Sequence, residues 1–144
     1  MTAKQIRYDD MYMDIAKRVS EMSYDTDTKV GAIIVKDGNI ISMGWNGTPS
    51  GFPNECKHPH TGATLPYVIH AEANAICKLA RTGGNGFNAA LYTTLAPCME
   101  CTKLILQSGI SEVVINEADE RYMEAYSLLK EKGMIRLCKS ISNQ

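Results

Sequence analysis

No stretch of the chain approaches the ~20 consecutive apolar residues that span a bilayer. The opening Met1-Thr2-Ala3-Lys4-Gln5 runs into a polar segment without an apolar core of signal-peptide length. These absences set the expectation of a cytoplasmic protein with no membrane partner. An excess of one charge is missing too: 15 Lys and Arg stand against 16 Asp and Glu, for a formal net charge of -1. Binding a polymer through many phosphates leaves a basic excess, so no nucleic-acid partner is expected, while a small charged substrate stays open. The five cysteines are an odd number without a secretion signal, which fits a reducing compartment where Cys56, Cys77 and Cys138 stay free. No repeat, low-complexity tract or linker divides the 144 residues, and the expectation is one domain over 1–144 around one core.

What is present is periodicity. Asp9 and Asp10 are placed to cap a first helix whose apolar stripe is Met11, Ile15, Val19 and Met22, at steps of four and three. Residues 30–35 and 40–45 flank Lys36-Asp37-Gly38-Asn39, and the Asp-Gly pair signals a tight antiparallel hairpin. The Gly-, Pro- and polar-rich segment 46–67 is a long loop of the kind compact domains keep for function. Beyond it the pattern predicts a helix over 71–81, a strand over 90–95, a helix over 98–107, a strand over 112–116, a helix over 121–132 and a last strand over 134–141. This order predicts an α/β protein, a three-layer α/β/α sandwich with a central mixed five-stranded sheet.

Two clusters carry the chemistry, His70-Ala71-Glu72 and Pro97-Cys98-Met99-Glu100-Cys101. A neutral imidazole and two thiolates, from His70, Cys98 and Cys101, fill three corners of a tetrahedral zinc site and leave the fourth for water, which marks a catalytic metal. His70 and Cys98 each fall at a helix start, where the dipole favours thiolate over thiol. Pro97 suits such an entrance, having no amide hydrogen to leave unpaired. Zinc brings the pKa of water near ~7, and Glu72, not needed as a ligand, is free to move protons between water, a ring nitrogen and a leaving amine. Cys98 and Cys101 alone would read as a redox pair or half of a structural zinc site. In this order, with Glu two residues after His and Pro before the first Cys, the pattern resembles the signature of the zinc-dependent base deaminases.

Over nearly its whole length the chain resembles the deoxycytidylate (dCMP) deaminases of the cytidine-deaminase-like superfamily, in particular the short bacterial and phage forms. Besides the zinc motif, the likeness rests on Thr28-Lys29-Val30-Gly31-Ala32, on Gly44-Trp45-Asn46-Gly47-Thr48-Pro49-Ser50-Gly51, on Pro66-Tyr67-Val68-Ile69 ahead of His70, on Ala73-Asn74-Ala75-Ile76 and on Ser108-Gly109-Ile110. The resemblance implies hydrolysis of dCMP to dUMP and ammonia, a homo-hexamer, activation by dCTP with Mg2+ and inhibition by dTTP. It places the effector near Gly44, Trp45, Asn46, Gly47, Asn74, Lys78 and Arg81, and makes Ser23, Lys29, Asn46, Ala71, Arg121 and Tyr122 candidates for binding substrate. Lys78 and Arg81 alone would read as a solvated helix face; beside an Asn-Gly loop able to present amides to phosphate they read as an anion site.

Two departures from the resemblance stand out: Lys78 stands where the family's phage prototype has an aromatic residue on its regulatory helix, and Met22-Ser23 stands where many relatives have Arg-Ser. Cys56, His58 and His60 are spaced like partial ligands of a second zinc, without a fourth near Asp25-Thr26. The alternatives are a nucleoside or tRNA-editing deaminase with the same zinc chemistry, and a non-catalytic zinc-binding module.

Overall fold

The computed structural model describes residues 1–139. A helix α1 (Ala3–Ser20) precedes the hairpin β1 (Gly31–Lys36) and β2 (Asn39–Trp45). Then follow α2 (Ala71–Arg81), β3 (Ala90–Leu95), α3 (Met99–Gln107), β4 (Glu112–Glu117), a 3-10 turn (Glu120–Tyr122), α4 (Met123–Glu131) and β5 (Ile135–Leu137). The five strands form one mixed sheet in the order β2-β1-β3-β4-β5. β1 lies antiparallel to β2 and β3, whereas β3, β4 and β5 run parallel.

Strand alternation divides the core in two. Ile33, Val35, Tyr92 and Val114 meet Tyr12, Met13, Ala16 and Val19 of α1 on one face. On the other, Ala32, Ile34, Leu91, Val113 and Ile115 lie beneath α2, α3 and α4. Burial on both faces is why β1 and β4 read as continuous apolar runs. The result is the expected α/β/α sandwich. The hairpin turn also matches its signal: Asp37 at φ 51 and Gly38 at φ 77 take the paired left-handed conformations of a type I′ turn. Among the described residues no helix is long and apolar enough to cross a membrane.

The first helix differs from its reading. It starts at Ala3, and Thr2 caps it by accepting a hydrogen bond from the Gln5 amide at 3.1 Å. Asp9, read as a cap, is fully buried in the middle of the helix, while Met11 and Met22 of the supposed stripe are exposed. The stripe that faces the sheet is Ile6, Asp9, Tyr12, Met13, Ala16 and Val19, so of the residues read as the stripe Val19 keeps its place. A carboxylate at a core position hid it, and two of the three groups that make this burial tolerable are far away in sequence. Tyr92 Oη donates to Asp9 Oδ1 at 2.6 Å, Arg136 Nη2 donates at 3.1 Å, and Gln5 Nε2 donates at 2.9 Å. The helix read over 121–132 is split, since the Asp119 carboxylate accepts the Arg121 amide at 3.0 Å and sets a 3-10 turn before α4. The last strand is shorter than read, and residues 140 and 141 lie outside the described part.

Burial alone pushes the Asp9 carboxyl up, but hydrogen bonds from Arg136, Tyr92 and Gln5, with the guanidinium charge, hold it below its ordinary value. Its contribution to stability is therefore in place above the unfolded pKa of ~4 and is lost as pH falls through the folded value. Asp9→Asn is expected to lower the unfolding free energy by about 3 kcal/mol at neutral pH, because Arg136 loses a buried counter-charge. Urea melts across pH measure this, and the mutant and wild-type curves should start to approach each other near pH ~4 and meet only below the lower folded value.

Candidate metal and substrate site

The loop after β2 delivers His70 to the start of α2, and β3 runs through Ala96-Pro97 into Cys98 at the start of α3. His70 and Cys98 are the N-cap residues of these helices, extended at φ -69, ψ 156 and φ -71, ψ 174, and neither side chain caps its own helix. They turn toward each other instead. His70 Nδ1 lies 3.3 Å from Cys98 Sγ and 3.5 Å from Cys101 Sγ. Ligand atoms of all three lie within 4.8 Å of one another, and this is the one such group of metal-capable residues among those described. A hydrogen bond from the Cys101 thiol brings Cys98 down to about 4, and the His70 ring adds to the effect. The same bond, with burial, pushes Cys101 up, and the contact with Cys98 raises His70. One nitrogen and two sulfurs are a donor set that fits zinc and leaves room for a non-protein ligand.

Beside these metal-capable side chains opens a cavity of about 310 Å³, at the end of the sheet where β3 and β4 finish and β1 begins. Open α/β sheets place ligands at the carboxyl ends of their parallel strands. Glu72, the second residue of α2, lines this cavity and is 4% exposed. Burial pushes its carboxyl up, against contacts with Cys101 and His70 that lower it. Thr93 Oγ1 sits 3.4 Å from Glu72 Oε1 and donates to the Leu95 carbonyl at 3.0 Å. A buried carboxyl next to a set of metal donors, at the wall of an accessible cavity, is equipped to hold and hand over a proton.

The sequence profile of the cytidine and deoxycytidylate deaminase zinc-binding region matches residues 6–117. The chain belongs to this deaminase family. Deoxycytidylate deaminase of Enterobacteria phage T4 is 35% identical over 149 residues, spanning 76% of this chain and 77% of its own. The deoxycytidylate deaminase of Homo sapiens is 35% identical over 116 residues, and the match covers 76% of this chain but 64% of the human one. A crystal structure of dCMP deaminase from cyanophage S-TIM5, in complex with dCMP and dUMP, superposes with a TM-score of 0.85 at 36% identity, over 95% of this chain and 98% of its own. The protein is thus a deaminase of a zinc-binding family, with one histidine and two cysteines positioned for a metal.

The remaining candidates of this deaminase separate into three groups. Asn46, Ala71, Arg121 and Tyr122 line the cavity with His70, Glu72 and Cys98. Ser23 and Lys29 do not: Ser23 is buried, with its hydroxyl donating to the Asn46 carbonyl at 2.7 Å and accepting the Asp25 amide, and Lys29 is exposed between the lining residues Thr28 and Val30. Trp45, Asn46, Gly47, Asn74, Lys78 and Arg81 line a second cleft of about 350 Å³. In it Lys78 Nζ stands 4.0 Å over the Trp45 ring and Asn74 Nδ2 donates to the Trp45 carbonyl at 3.0 Å.

Gly44 is outside both cavities. A Cβ there would lie 2.4 Å from the Ala71 carbonyl oxygen and 2.5 Å from the Ala75 nitrogen, so Gly44 lets β2 and α2 approach. The Asn-Gly amides read as free for phosphate are engaged, Asn46 N with the Val30 carbonyl and Gly47 N with that of Ile69. The Asn46 side chain bridges the Val30 amide and the Thr28 carbonyl. His58 Nδ1 accepts the amides of His60 and Thr61, and Cys56 is buried, so these residues form no second metal group among those described. Sequence reasoning missed Lys57, Asp25 and Asp27, which line the first cavity. A lysine in a polar loop carries no pattern, and only the pairing of Lys57 with Thr64 folds it back to the site.

Proposed function

We propose that this deaminase hydrolyses dCMP to dUMP and ammonia, a step that supplies the precursor of thymidylate. The observation that carries the reading is the placing of Glu72, His70 and Cys98 at one cavity, with Cys101 beside His70 and Cys98, in a chain alike along 95% of its length to a dCMP deaminase seen in complex with dCMP and dUMP. His70, Cys98 and Cys101 would hold zinc, which when bound would supply the acidity that makes water a nucleophile at neutral pH. Glu72 would take one proton from the attacking water and pass it to the ring nitrogen as the oxygen bonds to the neighbouring carbon, then take the second proton from that oxygen and give it to the amine, so that the C–N bond breaks, ammonia leaves and the C=O of dUMP forms. Asn46, Ala71, Arg121 and Tyr122 bind the rest of the nucleotide. Rates on dCMP, dCTP, CMP and deoxycytidine test the substrate: dCMP is expected to be the preferred one, and a preference for deoxycytidine would favour a nucleoside deaminase.

The second cleft is the proposed seat of the effectors, dCTP with Mg2+ as activator and dTTP as inhibitor, in a cytoplasmic homo-hexamer. Asn46 lines both cavities and joins the two sites. Arg81→Gln is expected to blunt both responses while deamination of dCMP survives. Coupling between sites of about 1–3 kcal/mol makes the loss a roughly 5- to 150-fold change in effector sensitivity. Saturation curves for dCMP with each effector measure it, and unchanged responses would make Arg81 a solvated helix residue.

A further inference from the structure

Two cations line the candidate substrate cavity, Lys57 from the loop before α2 and Arg121 from the turn before α4. Arg121 is gripped by its neighbour, with Nε 3.0 Å from Asp119 Oδ1 and Nη2 2.7 Å from Oδ2. Lys57 is held more loosely. Its Nζ donates to Thr64 Oγ1 at 2.8 Å and stands 3.4 Å from Asp25 Oδ2 and 3.3 Å from Asp27 Oδ2. Both carboxylate distances exceed the about 2.7–2.9 Å of a charge-assisted hydrogen bond, so the ammonium is shared and not docked.

The two carboxylates differ in what holds them. Asp25 is buried, and its other oxygen accepts the amides of Asp27 and Thr28 at 2.8 and 3.0 Å. The Asp27 side chain is 67% exposed, and an ion pair so open to water is weak. An anion entering the cavity displaces Asp27 at small cost, while Asp25 and Thr64 keep the ammonium in place. We propose that Lys57 holds the phosphate of the nucleotide substrate, taking it in exchange for the Asp27 carboxylate, and thereby makes the enzyme prefer a nucleotide to a nucleoside. This rests on the dCMP reading above.

The exchange gives the two partners opposite mutant effects. Lys57→Gln is expected to raise the KM for dCMP and the inhibition constant of dUMP by roughly 10- to 100-fold, with a much smaller change in kcat, because a hydrogen bond between charged groups is lost. The inhibition constant of deoxyuridine, which lacks the phosphate, should not move. Lys57→Arg keeps the charge and should recover most of the loss. Asp27→Asn removes the competing carboxylate and should tighten dUMP by about 2- to 5-fold.

A Lys57→Gln protein that weakens dUMP and deoxyuridine equally would overturn the assignment and leave Lys57 a latch for its loop. So would an Asp27→Asn protein whose dUMP inhibition is unchanged or weaker, and this arm decides alone if Lys57→Gln does not fold. Wild-type protein that turns over deoxycytidine but not dCMP would remove the underlying reading instead.

Discussion

Glu72→Gln is expected to cut turnover by roughly 10²- to 10⁴-fold, the usual contribution of a positioned proton-transfer group, while fold and metal content stay intact. The substitution keeps shape and volume. It replaces a carboxyl that is 4% exposed and pushed up by burial, so the neutral amide meets no penalty at the cavity wall. What it removes is the capacity to take a proton and return it. Loss of kcat with unchanged thermal melting and zinc content is the expected signature. Activity within tenfold of wild type would show that Glu72 is a bystander of the metal group.

The second large effect concerns the metal. Cys101→Ala removes a sulfur that is 2% exposed and lies 3.5 Å from His70 Nδ1. Zinc content and activity are expected to fall together, by more than the ~10- to 100-fold that disturbing a residue behind a ligand costs. Stripping the wild-type protein with a chelator should reproduce the loss, and adding zinc should restore activity to wild type but not to the variant. Full activity in the stripped wild type would exclude a role for the metal in the chemistry.

Much of this site could be read from short-range pattern. His70 and Cys98 each fall at a helix start, and the boundaries of α2 and β3 match their readings because both segments have strong periodicity and clear stops. The unread parts depend on partners distant in the chain. Asp9 looked like a cap because Tyr92 and Arg136, which make its burial tolerable, are 83 and 127 residues away. Gly44 looked like part of an anion loop because nothing local announces that α2 passes within van der Waals reach of its Cα. Lys57 was silent for the same reason, since its place at the cavity depends on a bridge within an irregular loop and on carboxylates 30 or more residues earlier. Motif spacing finds side chains that the fold brings together as a metal-capable group, and finds poorly the residues that line the cavity beside them.

The central claim is hydrolytic deamination of dCMP at the His70, Cys98 and Cys101 group with Glu72. Its most direct test is to incubate the zinc-loaded protein with dCMP in water enriched in the heavy oxygen isotope and to follow nucleotide mass and ammonia together. Equimolar dUMP and ammonia, with a heavy oxygen at the ring carbon that lost its amine, is the expected result. Unchanged dCMP and no ammonia from zinc-replete, folded protein would contradict it.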